Sequence, residues 1–137
     1  MSDNAVFTTE IGVRWSDQDL NGHVNNAHAI TLMEEARVRA TLAWTGTSPT
    51  PQTPHVVRTI NADYDRELSY APVTARVWVS RLGRTSYTVT HELYQDGERC
   101  VHGDAVIVNL DPETRRPAPL TDGERALLVG EDPAQGQ

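Results

Sequence analysis

Residues 15–37 read WSDQDLNGHVNNAHAITLMEEAR, and this stretch decides the fold. Its first half is dominated by Asp, Asn and Gly, which favour turns because they tolerate unusual backbone angles or bond back to the main chain. Its second half becomes helical. From about Ala27 to Trp44 the residues Ala29, Leu32, Met33, Ala36, Ala40 and Ala43 recur at helical spacing, Asn25 or Asn26 is placed to cap the first turn, and Gly46 is a candidate stop. At about 1.5 Å per residue this helix is long for a chain of 137 residues. Its stripe is built largely from alanine, so another element must approach it closely.

Upstream, residues 6–15 (VFTTEIGVRW) set Phe7, Ile11, Val13 and Trp15 in imperfect alternation with polar residues, which reads as a half-buried strand. Downstream, TGTSPTPQTP is a proline-marked loop, and His55 to Leu110 reads as strands near 55–68, 73–82, 85–95 and 99–110. Gly83 and the pair Asp96-Gly97 supply hairpin turns, which predicts an antiparallel meander. A helix followed by a run of strands is an α+β order. Thr121 with Glu124 three residues on forms a candidate capping box for a short last helix. The expected organisation is one domain over residues 1–129 and a loose tail over 130–137.

Composition narrows the function classes. A net charge of -7 argues against affinity for nucleic acid, which needs a basic face. All 12 basic residues are arginines, so a phosphorylated ligand would be held by guanidinium forks, with Arg81, Arg84, Arg115 and Arg116 as candidates. Cys100 is the only cysteine, which leaves no intrachain disulfide and no cysteine-rich zinc site. His55, His91 and His102 fall in expected strands without ligand spacing, so neither a metal nor an organic cofactor is expected. No basic-then-apolar leader opens the sequence, and no segment has the roughly 20 apolar residues of a membrane span, which predicts a cytosolic protein with no membrane partner.

The loop before the helix carries the candidate chemistry. A helix amino end offers unpaired N–H groups and partial positive charge, both suited to an oxygen that becomes negative during acyl transfer. The complementary part is a carboxylate able to attack a carbonyl or to take a proton from water, and Asp19 supplies one. Asn21 and His23 are donors able to hold a substrate. The first helical turn contains no acid before Glu34, so its field is left for a ligand. Glu35 and Arg39 have the spacing of a surface ion pair. Ordinary turn and cap chemistry would also account for these residue types.

The stretch quoted above resembles the signature of the 4-hydroxybenzoyl-CoA thioesterase family of hotdog proteins: Asp-x-Asp, then Gly-His-Val-Asn-Asn, then a helix ending in Glu-x-Ala-Arg, here Glu34 to Arg37. The resemblance continues more weakly through VVRTINADYDREL, RLGRTSYTVTHELY and VIVNLDPETRRPAP, and covers residues 8–119. It implies a hotdog fold, in which a long helix is wrapped by an antiparallel sheet of about five strands. The implied activity is hydrolysis of an acyl-CoA or acyl-carrier thioester, with Asp19 as nucleophile or general base and Asp17 as a less critical partner. Plant acyl-carrier thioesterases share a related pattern that maps onto Asp19, Asn21, His23, Val24, Asn25 and Asn26, and they align a catalytic glutamate with Glu67. In that reading Asp17, Asn25 and Asn26 contact substrate, and Arg84 and Ser86 beside Gly83 contact its carrier. The sequence departs from the family at His28, where an aromatic is usual. A homodimer or homotetramer follows by resemblance, and the unpaired edges of one small sheet point the same way. The rivals are a hotdog hydratase or dehydratase, whose histidine stands five rather than four residues after its aspartate, and a non-catalytic acyl-CoA binding protein.

Overall fold

The computed structural model describes residues 6–47 and 50–129. The expected tail, 130–137, lies outside the described residues. Six strands form one sheet: β1 (Phe7–Ile11), β2 (His55–Ile60), β3 (Asp63–Tyr64), β4 (Val73–Leu82), β5 (Ser86–Gln95) and β6 (Glu98–Asn109). A long helix α1 (Asn26–Thr45) and a short α2 (Asp122–Leu128) complete the fold. All strand pairs are antiparallel, in the order β1-β4-β5-β6-β2, with β3 also pairing β6. The long helix packs on β1, β4 and β5, which is the hotdog arrangement.

The strands follow side-chain alternation. In β5 every second residue from Tyr87 to Gln95 is buried, and in β4 the buried set is Val73, Ala75, Val77 and Val79. The β5–β6 hairpin turns on Asp96 (φ 52°) and Gly97 (φ 76°), the pair of positive φ angles that a two-residue turn of this hand requires. Only β4-β5-β6 is a meander. Contrary to a simple meander through all strands, β2 docks beside β6 at one edge and β1 beside β4 at the other, because alternation specifies faces and not strand order.

The helix obeys its alanine stripe. Ala29, Met33, Ala36 and Ala40 are buried, whereas Ala43 is exposed and Arg37 and Thr41 are buried in addition. Asn25 caps it by accepting the Ala27 N–H at 2.8 Å, and Gly46 ends it at φ 77°. At the far end of the chain the Thr121–Glu124 capping box is present. Strand β1 stops at Ile11. Trp15 instead begins a 3-10 turn, Trp15–Asp17, and is 75% exposed, so its apparent alternation with Val13 belongs to no strand.

The expected strand over 55–68 is interrupted at Asn61-Ala62. There the chain crosses the inner face of β6 at Gly103, where any Cβ would stand 2.0 Å from the Asn61 carbonyl oxygen. The crossing is possible only with glycine at that position. It redirects the following residues towards the amino end of α1.

Candidate functional site

Two elements meet at that end of the helix. The first is the loop from Arg14 to Asn25, closed by a single bridge between Gln18 and Val24. Within it the Asp19 N–H donates to the His23 carbonyl at 2.9 Å, and the Gly22 N–H donates to the Asp19 carbonyl at 3.0 Å, with Gly22 at φ 78°. The second element is the segment from Tyr64 to Ser69. The N–H groups of Asp65 and Arg66 both donate to the Cys100 carbonyl, the Leu68 carbonyl accepts from Val24 N–H at 2.8 Å, and the Gln95 amide clasps Ser69 and Ala71. The Tyr64 hydroxyl donates to the Asn26 carbonyl at 2.7 Å and so fastens the segment to the first helical turn.

Between the two elements lies an open cavity of about 290 Å³. Its polar rim carries Asp19, Asn21, His23, Asn26, Tyr64 and Glu67, and its apolar floor is Val24, Ala29, Leu68 and Val101. Five residues singled out in the sequence, Asp19, Asn21, His23, Asn26 and Glu67, are thereby brought together from two separate parts of the chain.

Asp19 is exposed. Its Oδ1 accepts the Asn21 N–H at 2.9 Å, while Oδ2 has no hydrogen-bond partner among the described residues. One oxygen is thus used to orient the carboxylate and the other is left for a ligand. His23 Nε2 lies 3.1 Å from Glu67 Oε2, and His23 Nδ1 is buried without a hydrogen-bond partner. With a proton on Nε2 donated to Glu67, Nδ1 presents a lone pair; with both nitrogens protonated the pair is ionic.

Asp17 behaves differently. It is buried, and its carboxylate accepts from the Arg14 N–H at 2.8 Å, from Arg14 Nη2 at 2.8 Å and from His28 Nδ1 at 2.9 Å. The Arg14 guanidinium holds the Asp17 carboxyl down at about 2, against the opposing effect of burial. The Asp17 carbonyl also accepts the Asn25 N–H at 2.8 Å. Asp17 therefore stands outside the cavity as the knot that ties loop to helix. Asn25, likewise, spends its side chain on the helix cap.

Arg84 and Ser86 are not brought to this cavity within one chain. Ser86 pairs with Val108 whereas Val101 lines the cavity, a separation along β6 of roughly 23 Å at about 3.3 Å per residue. Glu35 and Arg39 form the expected i,i+4 pair at 2.8 Å. Among the described residues, no group of three or more His, Cys, Asp or Glu side chains is placed to hold a metal ion. No helix of the described chain is long and apolar enough to cross a membrane.

Tyr64 and Gly103 were not singled out in the sequence, although an isolated glycine inside a strand pattern is a recognised sign of close backbone approach. Tyr64 carries no such sign, since an exposed tyrosine in a strand is unremarkable.

Known proteins share this fold. The pattern of a family described as the thioesterase-like superfamily matches residues 13–128. The chain is similar to the uncharacterized protein YsmA of Bacillus subtilis (strain 168), with 31% identity over 126 residues covering 90% of this chain and 85% of that one. In structure it is similar to a predicted thioesterase from Bacillus stearothermophilus, at 32% identity and a TM-score of 0.86, covering 93% of this chain and 97% of the other. It is also similar to a thioesterase from Thermus thermophilus complexed with coenzyme A and Zn, at 33% identity and a TM-score of 0.76, covering 88% and 90%.

Proposed function

This chain belongs to the thioesterase-like superfamily of hotdog-fold proteins, and from that membership we propose that it hydrolyses an acyl-coenzyme A, or a related acyl-carrier thioester, to a free acid and a thiol. The observation that carries the reading is the meeting, in one open cavity at the amino end of α1, of Asp19 with a free carboxylate oxygen and the His23–Glu67 pair. The coenzyme A complex of the Thermus thermophilus relative supports the choice of carrier.

In this mechanism the thioester carbonyl points its oxygen at the Asn26 and His28 N–H groups of the first turn of α1, which have no acceptor among the described residues once Ala27 and Ala29 donate to Asn25, and which stabilise the charge that develops there. Asp19 Oδ2 either attacks the carbonyl carbon, giving an anhydride that water then opens, or takes a proton from the attacking water. The C–S bond breaks, the thiolate leaves and is protonated, and the acid remains. His23, Asn21 and Asn26 orient the acyl group, with Glu67 fixing the imidazole. Arg84 and Ser86 would grip the carrier from a neighbouring subunit. For that reason we place the site in a homodimer or a tetramer of dimers.

A free β2 edge and the exposed apolar residues Val38, Leu42, Val56, Val57 and Ile60 support association of copies. Light scattering that finds only monomer at micromolar concentration would remove the second subunit from the site. The activity itself is tested by incubating the protein with aliphatic and aromatic acyl-CoAs and detecting free thiol. Binding without thiol release identifies a silent acyl-CoA binder, and water addition to an enoyl-CoA identifies a hydratase; either result defeats the proposal.

A further inference from the structure

The segment from Tyr64 to Ser69 is tied to the loop by the Val24 N–H, which donates to the Leu68 carbonyl at 2.8 Å, and by His23 Nε2, which lies 3.1 Å from Glu67 Oε2. Tyr64 ties it to the helix instead. The Tyr64 backbone pairs with Val101 of β6, and its hydroxyl donates to the Asn26 carbonyl at 2.7 Å. Its ring therefore spans the cleft from sheet to helix, with Val101 in the floor at one end and the first turn of α1 at the other. A phenol supplies both that reach and a donor at its tip. Partial burial raises the Tyr64 phenol above its ordinary value of 10.0, so the hydroxyl keeps its proton at neutral pH.

What Tyr64 holds is one peptide unit. The carbonyl it bonds belongs to the Asn26–Ala27 peptide, and the N–H of that same peptide donates to Asn25 Oδ1 at 2.8 Å. A peptide gripped at both ends turns only by breaking one of the two bonds, and each bond strengthens the other by polarising the amide. On either side of it stand the Asn26 and His28 N–H groups, which have no acceptor among the described residues. Rigid peptide planes adjoin at the α-carbons, so the direction of these two amides follows from that of the clamped one. Asn26 and Tyr64 both line the cavity that Asp19 enters.

We propose that Tyr64 is a positioning residue for the reaction: with Asn25 it clamps the Asn26–Ala27 peptide, and so fixes the flanking Asn26 and His28 amides where the thioester oxygen gains charge. This role rests on the thioesterase reading. A donor serves such an oxygen best when it is already aimed, because reorganisation during the reaction would consume the stabilisation. Tyr64 touches no reacting atom and acts through the amides. Loss of a whole donor of this kind costs about 10²–10³-fold in turnover, so loss of its alignment alone should cost about tenfold. Since the amides make their contact as charge develops, the loss falls on kcat and not on KM.

The test is thiol release from hexanoyl-CoA and benzoyl-CoA by the intact protein, by its Tyr64→Phe and Asn25→Gly variants, and by the double variant. Glycine is chosen at Asn25 because it removes the side-chain acceptor at little cost to the helix cap. Each single change should lower kcat about tenfold with KM within about twofold of the unaltered protein. The double change should go no lower than the singles, because releasing either end already frees the peptide. Losses that multiply to about a hundredfold, an unchanged kcat in Tyr64→Phe, or a KM raised there at constant kcat would each overturn the proposal. Amide hydrogen exchange reads the clamp without turnover: the Ala27 N–H should exchange at least roughly threefold faster in Tyr64→Phe, with the Val24 N–H unchanged. Absence of thiol release from the unaltered protein defeats the thioesterase reading instead, and exchange alone then decides the clamp. An unchanged Ala27 rate overturns it in either case.

Discussion

Asp17 and Asp19 stand two residues apart in one loop, and the fold uses them in opposite ways. Around Asp17 the polar atoms are matched: the Arg14 N–H, the Arg14 guanidinium and His28 converge on the carboxylate of a residue that is 2% exposed. Around Asp19 one oxygen closes a turn and the other faces open space. The first arrangement gains stability from saturation, and the second leaves a carboxylate oxygen open, the oxygen that the proposed function employs. Identical side chains therefore divide into architecture and chemistry according to how many of their lone pairs the protein itself consumes.

The sharpest way to break this contrast is Asp19→Asn, which keeps the turn-forming oxygen and removes the negative charge. Under the proposed function kcat should fall by at least roughly 10²-fold, the lower end of what general-base catalysis contributes, with the melting temperature nearly unchanged. A drop in stability with turnover per folded molecule intact would reduce Asp19 to a turn residue. Next in size comes Glu67→Gln. It should lower kcat roughly tenfold, equivalent to about 1.4 kcal/mol of lost hydrogen bonding to His23. If turnover vanishes there and survives in Asp19→Asn, the roles of the two carboxylates are exchanged.

Asp17→Asn sharpens the other side. It should cost about 1–3 kcal/mol of stability, because Arg14 and His28 lose a charged acceptor, and it should leave kcat per folded molecule close to that of the unaltered protein. Thermal melts and single-turnover rates on the same samples separate the two effects. The smallest effect expected is on the pH dependence of stability. The folded-state value of His91 is about 4, below its ordinary 6.5, so the unfolded chain takes up a proton first as pH falls. Stability should be fully present above about 6.5 and decline as pH drops towards 4. Asp17, at about 2 in the fold against 3.8 normally, adds a further loss only below about pH 4. Denaturant melts at pH 7, 5.5, 4.5 and 3 should show the first decline well before the second, and His91→Gln should shrink the first without touching the second, because His55, also lowered by burial, contributes the remainder.

Much of this was legible in the residues themselves. Asn25, Gly46, Asp96-Gly97 and Thr121 mark boundaries through local backbone chemistry, which sequence carries directly. The clustering of Asp19, Asn21 and His23 is equally local. The burial of Asp17 is not, since the residue type says only that a turn is near, and the partner His28 enters from the helix. Arg37 reads as one charge of an ordinary helical pair with Glu34, and only the sheet behind it reveals that the guanidinium points inward. The docking of β2 beside β6, which brings Glu67 to the loop, depends on pairing between residues some 45 or more apart, from His55–Ile60 to Ala105–Asn109. No periodicity encodes that choice.

Gly103 gives this dependence a physical consequence. The passage of Asn61-Ala62 over its bare α-carbon carries the chain towards Tyr64 to Leu68, which lie against the loop of Asp19. The cleft therefore has no existence independent of the closed sheet: if β6 detaches, the Cys100 carbonyl releases Asp65 and Arg66, and Val24 then depends on a Leu68 that has lost its support. Folding of the scaffold and maturation of the site become one cooperative event. A chain caught before that event would hold Asp19 and Glu67 apart as two solvated acids, without the cavity that joins them in the folded protein.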